Sequence, residues 1–257
     1  MVYFQRLNMD NSFLLEMSGW KILIDPWLEG TEVDYFSWFN TQWHRTPPLA
    51  YEDMPDFDTV LITQKYPDHF HEETLKRLSP KHIISPKTLE KKLKNIFPSA
   101  KIESLDASNR FTEFNRHKVT FLGTKRKIDP IYDAFIIDDG EVSIFVSTHG
   151  FRFNNIDLEL LNQSSPCQLL ITPFNYYSLP FFLGGVVSPG LKGVEYLCET
   201  LNPKKVIATH DEDKHATGLV SKFAKIKRPS STENLLKYAW LNNRYLEVNH
   251  YNRINIS

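Results

Sequence analysis

The chain has little cysteine, and its cysteines are not spaced as a metal or disulfide framework. The 257 residues include only Cys167 and Cys198, with no CxxC spacing, which excludes zinc knuckles and small disulfide-rich scaffolds. Two unpaired thiols are typical of a protein kept in a reducing compartment. The first residues also lack the basic region and long apolar core of a signal peptide. We therefore expect a cytoplasmic protein.

Long apolar runs and an excess of charge of one sign are missing as well. No segment reaches the roughly 18 consecutive apolar residues that a membrane helix needs, so no membrane span is expected. The 30 basic and 31 acidic residues leave a formal net charge of −1, and without a basic stripe no binding to nucleic acid is expected. The apolar share of 41% is enough for a large core. At this length the chain fits either one sizeable domain or two small ones.

The most informative stretch combines a strand, a polar cluster and a helix. The apolar run from Thr59 to Thr63 predicts a buried strand. Asp68, His69 and His71 follow within a few residues. Glu72 to Leu78 then predicts a helix, because carboxylates occupy its first turn. The polar cluster thus follows the carboxyl end of a strand, which is where ligands bind in α/β proteins.

The rest of the chain contains two patterns: strands joined by turns, which predict antiparallel pairing, and strands alternating with helices, which predict parallel pairing. Short strands joined by turns are expected up to Ile24, and strands alternate with helices through Leu105. Asp139-Gly140 predicts a tight hairpin. A final helix is expected from Gly218 to Lys225. Together these patterns indicate an α/β protein with mixed sheets.

A strand, a threonine and a cluster that ends in Asp68-His69 resemble the metallo-β-lactamase fold superfamily. The signature of that family reads His-x-His-x-Asp-His directly after a strand. Its four ligand positions fall here on Gln64, Tyr66, Asp68 and His69, so the first two histidines are replaced and the last two ligands are kept. The resemblance implies an α/β fold with a four-layer αββα sandwich, in which helices flank two mixed sheets. It also implies a single domain over residues 1–257, with pseudo-halves of about 1–125 and 126–257.

The resemblance also implies a metal site that draws on distant parts of the chain. The last metal histidine of the family stands at the end of a strand, and this role carries over to His210. Asp68, His69 and His210 then make up a complete ligand set for one metal, whereas all histidines of the other metal are replaced. A reduced, mononuclear site for zinc, iron or manganese follows. Asp25, after the N-terminal hairpin, is expected near the metal ligands without being one of them.

Further residues are candidates for catalysis or for binding the substrate. The resemblance puts Thr148 at the position of the family's metal-bridging aspartate, and His149 follows one residue later. His149 therefore either caps a turn or has a metal-binding or catalytic role, the latter as a general base. Tyr66 is a candidate hydrogen-bond donor, and Asp68 is a catalytic candidate as well as a ligand. The candidates for substrate binding are Gln64, Asn175, Tyr176 and Trp38.

Three functions from different classes remain open. The first is a metal-dependent hydrolase of an ester, lactone, amide or phosphoester whose small-molecule substrate has an apolar part. The second is a metal-free ligand-binding descendant, in which Asp68 caps the following helix and His69 braces it. The third is a partner-binding scaffold that uses the aromatic segments 34–44 and 174–182. Segment 34–44 is either a satellite core under a loop or an apolar wall for a substrate.

Overall fold

The computed structural model describes residues 1–123, 133–210, 214–229 and 232–257. Nineteen strands lie in these residues. They are β1 (Val2–Arg6), β2 (Phe13–Met17), β3 (Trp20–Ile24), β4 (Thr31–Asp34), β5 (Asn40–His44), β6 (Thr59–Leu61), β7 (His82–Pro86), β8 (Lys101–Leu105), β9 (Phe111–Phe114), β10 (His117–Leu122), β11 (Ala134–Asp138), β12 (Ser143–Val146), β13 (Cys167–Pro173), β14 (Tyr176–Ser178), β15 (Val186–Pro189), β16 (Lys205–Thr209), β17 (Lys214–Thr217), β18 (Lys225–Lys227) and β19 (Ile254–Asn255).

The same residues form six α-helices, all of them short. They are α1 (Glu72–Leu78), α2 (Glu90–Ile96), α3 (Asn155–Asn162), α4 (Leu191–Leu201), α5 (Leu219–Phe223) and α6 (Thr232–Leu235), and 3-10 turns lie at Tyr51–Asp53, Lys87–Leu89 and Phe181–Leu183. In the part of the chain that the structure describes, no helix has the length and apolar character needed to cross a membrane.

The chain divides into two compact units. The first unit comprises Met1–Asn109, Glu212–Lys222 and Asn249–Ser257, and the second comprises Arg110–Asp211 and Phe223–Val248. The predicted boundary near residue 125 lies outside the described residues. A single domain over the whole chain stays a prediction.

The first unit is built on a seven-stranded mixed sheet in the order β19-β1-β2-β3-β6-β7-β8. The first three strands form the predicted antiparallel meander. β3, β6, β7 and β8 then run parallel, because helices connect the last three of them as crossovers. One face of this sheet packs on helix residues such as Leu75 and Leu93, which are fully buried with Val60 and Ile83.

Helix α1 begins and ends at the predicted residues. Its N-terminal cap is His71, whose Nδ1 accepts a hydrogen bond from the backbone N–H of Thr74 at 3.3 Å. The alternative in which Asp68 caps this helix is therefore wrong. Its C-terminal cap is Ser79, which adopts a left-handed conformation with φ 48°.

A small sheet in the first unit, in the order β17-β5-β4, was not expected from the sequence. The pairing register sets Glu32 opposite Gln42, and Lys214 opposite His44. Because side chains alternate between faces, these four side chains share one face. That face is the buried one, whereas Trp43 on the other face is more exposed. The small sheet therefore turns a polar face inwards.

The second unit is built on a six-stranded mixed sheet in the order β16-β13-β12-β11-β10-β9. β9 to β12 are antiparallel, and the predicted hairpin turn falls at Gly140, where φ is 87°. β12, β13 and β16 are parallel, and the apolar face of α4 packs on this sheet through residues such as Val194 and Leu197. Each unit thus has a mixed sheet with helices against it, which confirms the predicted fold class.

A three-stranded sheet in the order β15-β14-β18 completes the second unit. The helix predicted from Gly218 to Lys225 is only partly correct, because α5 ends at Phe223 and β18 follows it. β18 pairs with β14, so strand pairing overrides the local helical preference there.

Both cysteines lie in the core of the second unit. Cys167 and Cys198 are free thiols and are buried. Burial raises the pKa of the Cys167 thiol to about 12 and that of the Cys198 thiol to about 11. Neither side chain is set up as a nucleophile, since the reactive form is the thiolate.

Candidate functional site

His69 is the centre of the polar cluster in the first unit. Its side chain is fully buried, and its Nδ1 donates a hydrogen bond to Oδ2 of Asp25 at 2.7 Å. Thr63 follows strand β6 and fixes the same carboxylate, because its backbone N–H donates to Oδ1 of Asp25 at 2.7 Å. Asp25 was expected close to the metal-ligand candidates, and it lies next to one of them, His69.

The backbone at Asp25 is unusual and explains how its carboxylate reaches His69. The residue follows β3 with φ 45°, a left-handed conformation, and its N–H donates to the carbonyl of Leu61 at 3.1 Å. Such conformations are uncommon outside glycine and occur where the surrounding structure imposes them. Burial raises the pKa of the Asp25 carboxyl, opposed by the nearby His69 and by hydrogen bonds from Thr63.

Carboxylates on two sides determine the state of the His69 ring. Burial opposes its protonation, but Asp68 and Asp25 outweigh that effect and raise the pKa of His69. Since Nδ1 is held by Asp25, Nε2 is the nitrogen that faces Asp68, with 3.8 Å between Nε2 and Oδ1. A carboxylate that holds one ring nitrogen fixes the tautomer and makes the other nitrogen a better metal ligand.

Asp68 is held in place by its backbone and its side chain. Its carbonyl accepts a hydrogen bond from Nδ2 of Asn11 at 3.0 Å. Its Oδ2 lies 3.4 Å from Nζ of Lys214, and the same ammonium lies 3.1 Å from Oδ2 of Asp10. The side chains of Lys214 and Asp10 are 6% and 0% exposed, so this is a buried ion pair.

Two further carboxyl groups of the small sheet, those of Glu32 and Asp34, are affected by the charge of Asp68. Glu32 is buried, and among the described residues its two carboxylate oxygens have no hydrogen-bond partner. Burial and then the charges of Asp68 and Asp34 raise the pKa of Glu32 to about 10. Burial and then Asp68 also raise the pKa of Asp34 to about 6, although Asn40 donates a hydrogen bond to its carboxylate.

The other predicted residues of the first unit lie at different depths. Gln64 is buried, and Tyr66 is half-buried in the turn, where its carbonyl accepts the backbone N–H of His69 at 2.9 Å. Trp38 is 65% exposed and stacks on Phe36, which is 60% exposed. The interpretation of this aromatic segment as a buried satellite core is therefore wrong. Its outward-facing rings form a surface.

His44 is a packing residue. Its ring lies against the indole of Trp27, with 3.9 Å between centroids. Burial lowers the pKa of His44 to about 4. Among the described residues its Nε2 has no hydrogen-bond partner, so a proton there would be buried without an acceptor.

In the second unit, His210 and His149 lie side by side. Their rings are stacked, with 4.7 Å between centroids and 27° between planes, and one nitrogen of each ring lies within 4.8 Å of the other. His210 follows β16 with φ 49°, and its carbonyl accepts a hydrogen bond from Nδ2 of Asn175 at 3.0 Å. Asn175 in turn is held by Ser188, whose hydroxyl donates to its carbonyl at 2.7 Å. Asn175 therefore positions His210.

Tyr176 lies on β14 beside a second aromatic surface of the same unit. The Nζ of Lys227 sits over its ring at 5.8 Å. Beyond the strand, Phe181 and Phe182 are 95% and 79% exposed. Exposed apolar side chains of this size mark surfaces that bind a ligand, a partner or a membrane.

Each unit offers donor atoms of the kinds that divalent transition metals bind. In the first unit, Asp25 orients the His69 ring so that Nε2 and a carboxylate oxygen of Asp68 face each other. In the second unit, His149 and His210 offer two imidazoles. Two imidazoles and a carboxylate are a common catalytic set for zinc and iron, and carboxylates also suit manganese.

Sequence reasoning missed Asp10, Glu32 and Lys214. Asp10 lies in a segment that reads as an ordinary turn, and Lys214 in a run of charged residues that reads as solvated. Only the pairing of β17 with β5 brings Lys214 to the buried face. The sequence carries only a weak signal for Glu32, which is an acidic residue in the short strand β4.

Comparisons with known proteins agree with this fold. The family described as "Beta-lactamase superfamily domain" matches residues 8–210. Over 107 residues the chain is 31% identical to N-acyl-phosphatidylethanolamine-hydrolyzing phospholipase D 1 of Caenorhabditis elegans. That match covers 40% of this chain and 28% of the length of the relative.

Solved structures share the fold at low sequence identity. Igni18, a metallo hydrolase from the archaeon Ignicoccus hospitalis KIN4/I, aligns with a TM-score of 0.65 and 14% identity, covering 98% of this chain and 97% of that chain. The isothiocyanate hydrolase from Delia radicum gut bacteria aligns with a TM-score of 0.67 and 16% identity, covering 99% of each chain. Since the family match spans more than half of the sequence, the chain belongs to the metallo-β-lactamase superfamily.

Proposed function

We propose that this chain is a metal-dependent hydrolase that binds one divalent metal, with Asp68, His69 and His210 as ligands. The single observation that carries this is the Asp25–His69 pair, in which a buried carboxylate holds Nδ1 at 2.7 Å. A buried histidine needs a partner for its N–H, but it does not need a second carboxylate facing its other nitrogen. Asp68 faces that nitrogen, and the arrangement is the one that metal-binding histidines use.

A bound metal would supply a Lewis acid and an activated water at neutral pH. The residues of the chain divide the remaining work. Asp25 fixes the tautomer of His69, and Asn175 holds the backbone of His210. His149 is half-buried and stacked on His210, and we assign it the role of a general base or acid. Tyr66 is assigned as a hydrogen-bond donor to the substrate.

The proposed substrate is an ester, lactone, amide or phosphoester with an apolar part. Support for a phosphoester comes from the partial match to a phospholipid-hydrolysing relative. Support for an apolar part comes from the exposed aromatic side chains near Trp38 and Phe182. Gln64 and Tyr176 are the further candidates for contacts with the polar and apolar parts of the substrate.

Elemental analysis of the purified protein, prepared without a metal-binding tag, tests the metal site. We expect about one equivalent of zinc, iron or manganese per chain. The variants His69→Ala and His210→Ala should each lose it, while His250→Ala, a half-buried histidine outside the proposed ligand set, should retain it. Absence of metal after incubation with zinc and with manganese salts would contradict the metal-dependent function.

Hydrolysis tests the chemistry separately. The metal-loaded protein is assayed with p-nitrophenyl acetate, a lactone and bis(p-nitrophenyl) phosphate. We expect turnover of at least one ester class that is lost in His69→Ala and lowered about 10²-fold or more in His149→Ala, the range for a general acid or base. A metal-loaded protein with no turnover on any class would leave ligand binding as the better function.

A partner-binding function is the second candidate, and one observation favours it. The adjacent side chains of Phe181 and Phe182 are both strongly exposed, and contiguous exposed apolar surface is a feature of protein interaction sites. Size-exclusion chromatography with light scattering distinguishes the two cases. A mass above that of one chain that falls in Phe181→Ser/Phe182→Ser would support an interface, and a single-chain mass in both would contradict self-association there.

A further inference from the structure

We propose that the Lys214 ammonium is a built-in cation, held between Asp10 and Asp68, that takes the place of a second metal ion and limits the chain to one. Because Asp68 is a metal ligand only under the function proposed above, this deepens that function. It assigns a role to two residues, Asp10 and Lys214, that the family signature does not include. The observations all lie within the first unit.

The carboxylates of Asp10 and Asp68 are close enough to share one cation. A carboxylate oxygen of Asp10 lies within 4.8 Å of a carboxylate oxygen of Asp68. Nζ of Lys214 lies 3.1 Å from Oδ2 of Asp10 and 3.4 Å from Oδ2 of Asp68. Two buried carboxylates at this spacing repel each other and need a positive charge between them. The ammonium supplies that charge without an ion from solution.

The two oxygens of Asp68 face different neighbours. Oδ1 lies 3.8 Å from Nε2 of His69, on the side of the proposed metal. Oδ2 is the atom near Lys214. The lysine therefore lies at Oδ2 and opposes a second metal at that atom, while Oδ1 lies on the side of His69.

The fold holds the lysine in this position. Lys214 begins β17, which pairs with β5 so that Lys214 lies opposite His44. The side chain points to the buried face of the small sheet and is 6% exposed. A buried ammonium is tolerated only when it is paired, and the carboxylate of Asp10, with 0% exposure, is a fixed partner.

Metal stoichiometry of the Lys214→Met variant is the test. Methionine keeps the length of the side chain and removes its charge. Each protein is incubated with excess MnCl2 or ZnCl2, desalted, and analysed for metal and protein. We expect a rise from one equivalent in the wild type to two in Lys214→Met. One equivalent in both proteins, with unchanged affinity in a calorimetric titration with MnCl2, would overturn the assignment.

Two matched variants separate a new site from a mere change of charge. Lys222→Met removes an exposed lysine of the same unit and should leave the stoichiometry at one. Asp10→Asn/Lys214→Met restores the charge balance but lacks one of the two carboxylates, so it should also stay at one. A second equivalent in either variant would contradict a site formed by Asp10 and Asp68.

A stability measurement covers the case in which Lys214→Met folds poorly. The melting temperature is measured with and without MnCl2, and the metal should raise it by several degrees more in Lys214→Met than in the wild type. A rise in Lys214→Met no larger than that in the wild type would overturn the assignment. A wild type without metal and a variant with one equivalent would contradict the proposed function while supporting the role of Lys214.

Discussion

His69 and His210 follow the ends of buried strands in their separate units, yet their surroundings differ in kind. His69 is held by charge: a fully buried carboxylate binds one ring nitrogen and another faces the second. His210 is held by its backbone, through the amide of Asn175, and by stacking on His149. Neighbouring charges fix the protonation state and the tautomer of a histidine ring. A hydrogen bond to the backbone carbonyl fixes only the position of the main chain that carries the ring. We therefore expect charge to fix the protonation state of His69, and backbone support to fix the position of His210.

Removing the buried carboxylate should have the largest effect. Asp25→Ala removes the buried carboxylate that accepts hydrogen bonds from His69 and from Thr63, and we expect a loss of about 3–5 kcal/mol in the free energy of unfolding. Urea unfolding followed by circular dichroism measures it. Asp56→Ala, at an exposed aspartate of the same unit, is the control. A loss below about 1 kcal/mol would mean that charge does not hold His69.

Removing the backbone support of His210 should cost less. Asn175→Ala deletes one hydrogen bond to the carbonyl of His210, for an expected loss of about 1–2 kcal/mol. The same unfolding experiment applies, with the exposed Asn242→Ala as its control. A loss equal to that of Asp25→Ala would remove the proposed difference between the two units.

A third histidine, His44, makes the stability of the protein depend on pH. The unfolded state protonates His44 below its ordinary pKa of 6.5, whereas burial keeps it neutral in the folded state down to about 4. This contribution to stability is therefore present above pH 6.5 and is lost as the pH falls from 6.5 towards about 4. Partial exposure limits the total to about 1 kcal/mol.

Variant His44→Gln isolates that contribution. The difference in unfolding free energy between wild type and variant should fall by about 1 kcal/mol from pH 7 to pH 4.5. Urea titrations at three pH values measure it. A difference that stays constant, or that grows in favour of the wild type as the pH falls, would show that His44 takes up a proton in the folded state.

The exposed aromatic side chains should contribute least to stability. Trp38→Ser in the first unit and Phe181→Ser in the second should each change the free energy of unfolding by less than about 0.5 kcal/mol. Their effect should instead fall on the KM of an apolar substrate. A loss of more than about 2 kcal/mol in either variant would indicate that the ring packs against the chain.

Much of the fold could be predicted because its signals are local. Helix α1 carries carboxylates in its first turn and apolar residues at helical spacing, and its bounds were correct. The hairpin at Gly140 follows from turn chemistry alone. The small sheet could not be predicted, because β5 pairs with a strand that lies about 170 positions later, and its aromatic residues obscure the alternation of its faces.

The candidate site divides in the same way. Asp68 and His69 stand in a motif, and the closeness of Asp25 to them follows from the family resemblance. The role of Lys214 depends on strand register, which no local pattern reveals. Asp68 was an alternative for the cap of α1 because aspartate is a preferred capping residue, and only the geometry of the turn shows that His71 takes that place.

The distribution of the two cysteines gives the molecule an internal reporter. Cys167 and Cys198 both lie in the second unit, and the first contains none. Since both thiols are buried and protonated, a thiol reagent should label the native protein slowly and respond only when the second unit opens. The rate of labelling therefore reports the opening of the second unit alone. A buried cysteine introduced into the first unit would allow the opening rates of both units to be measured in one mass-spectrometric experiment.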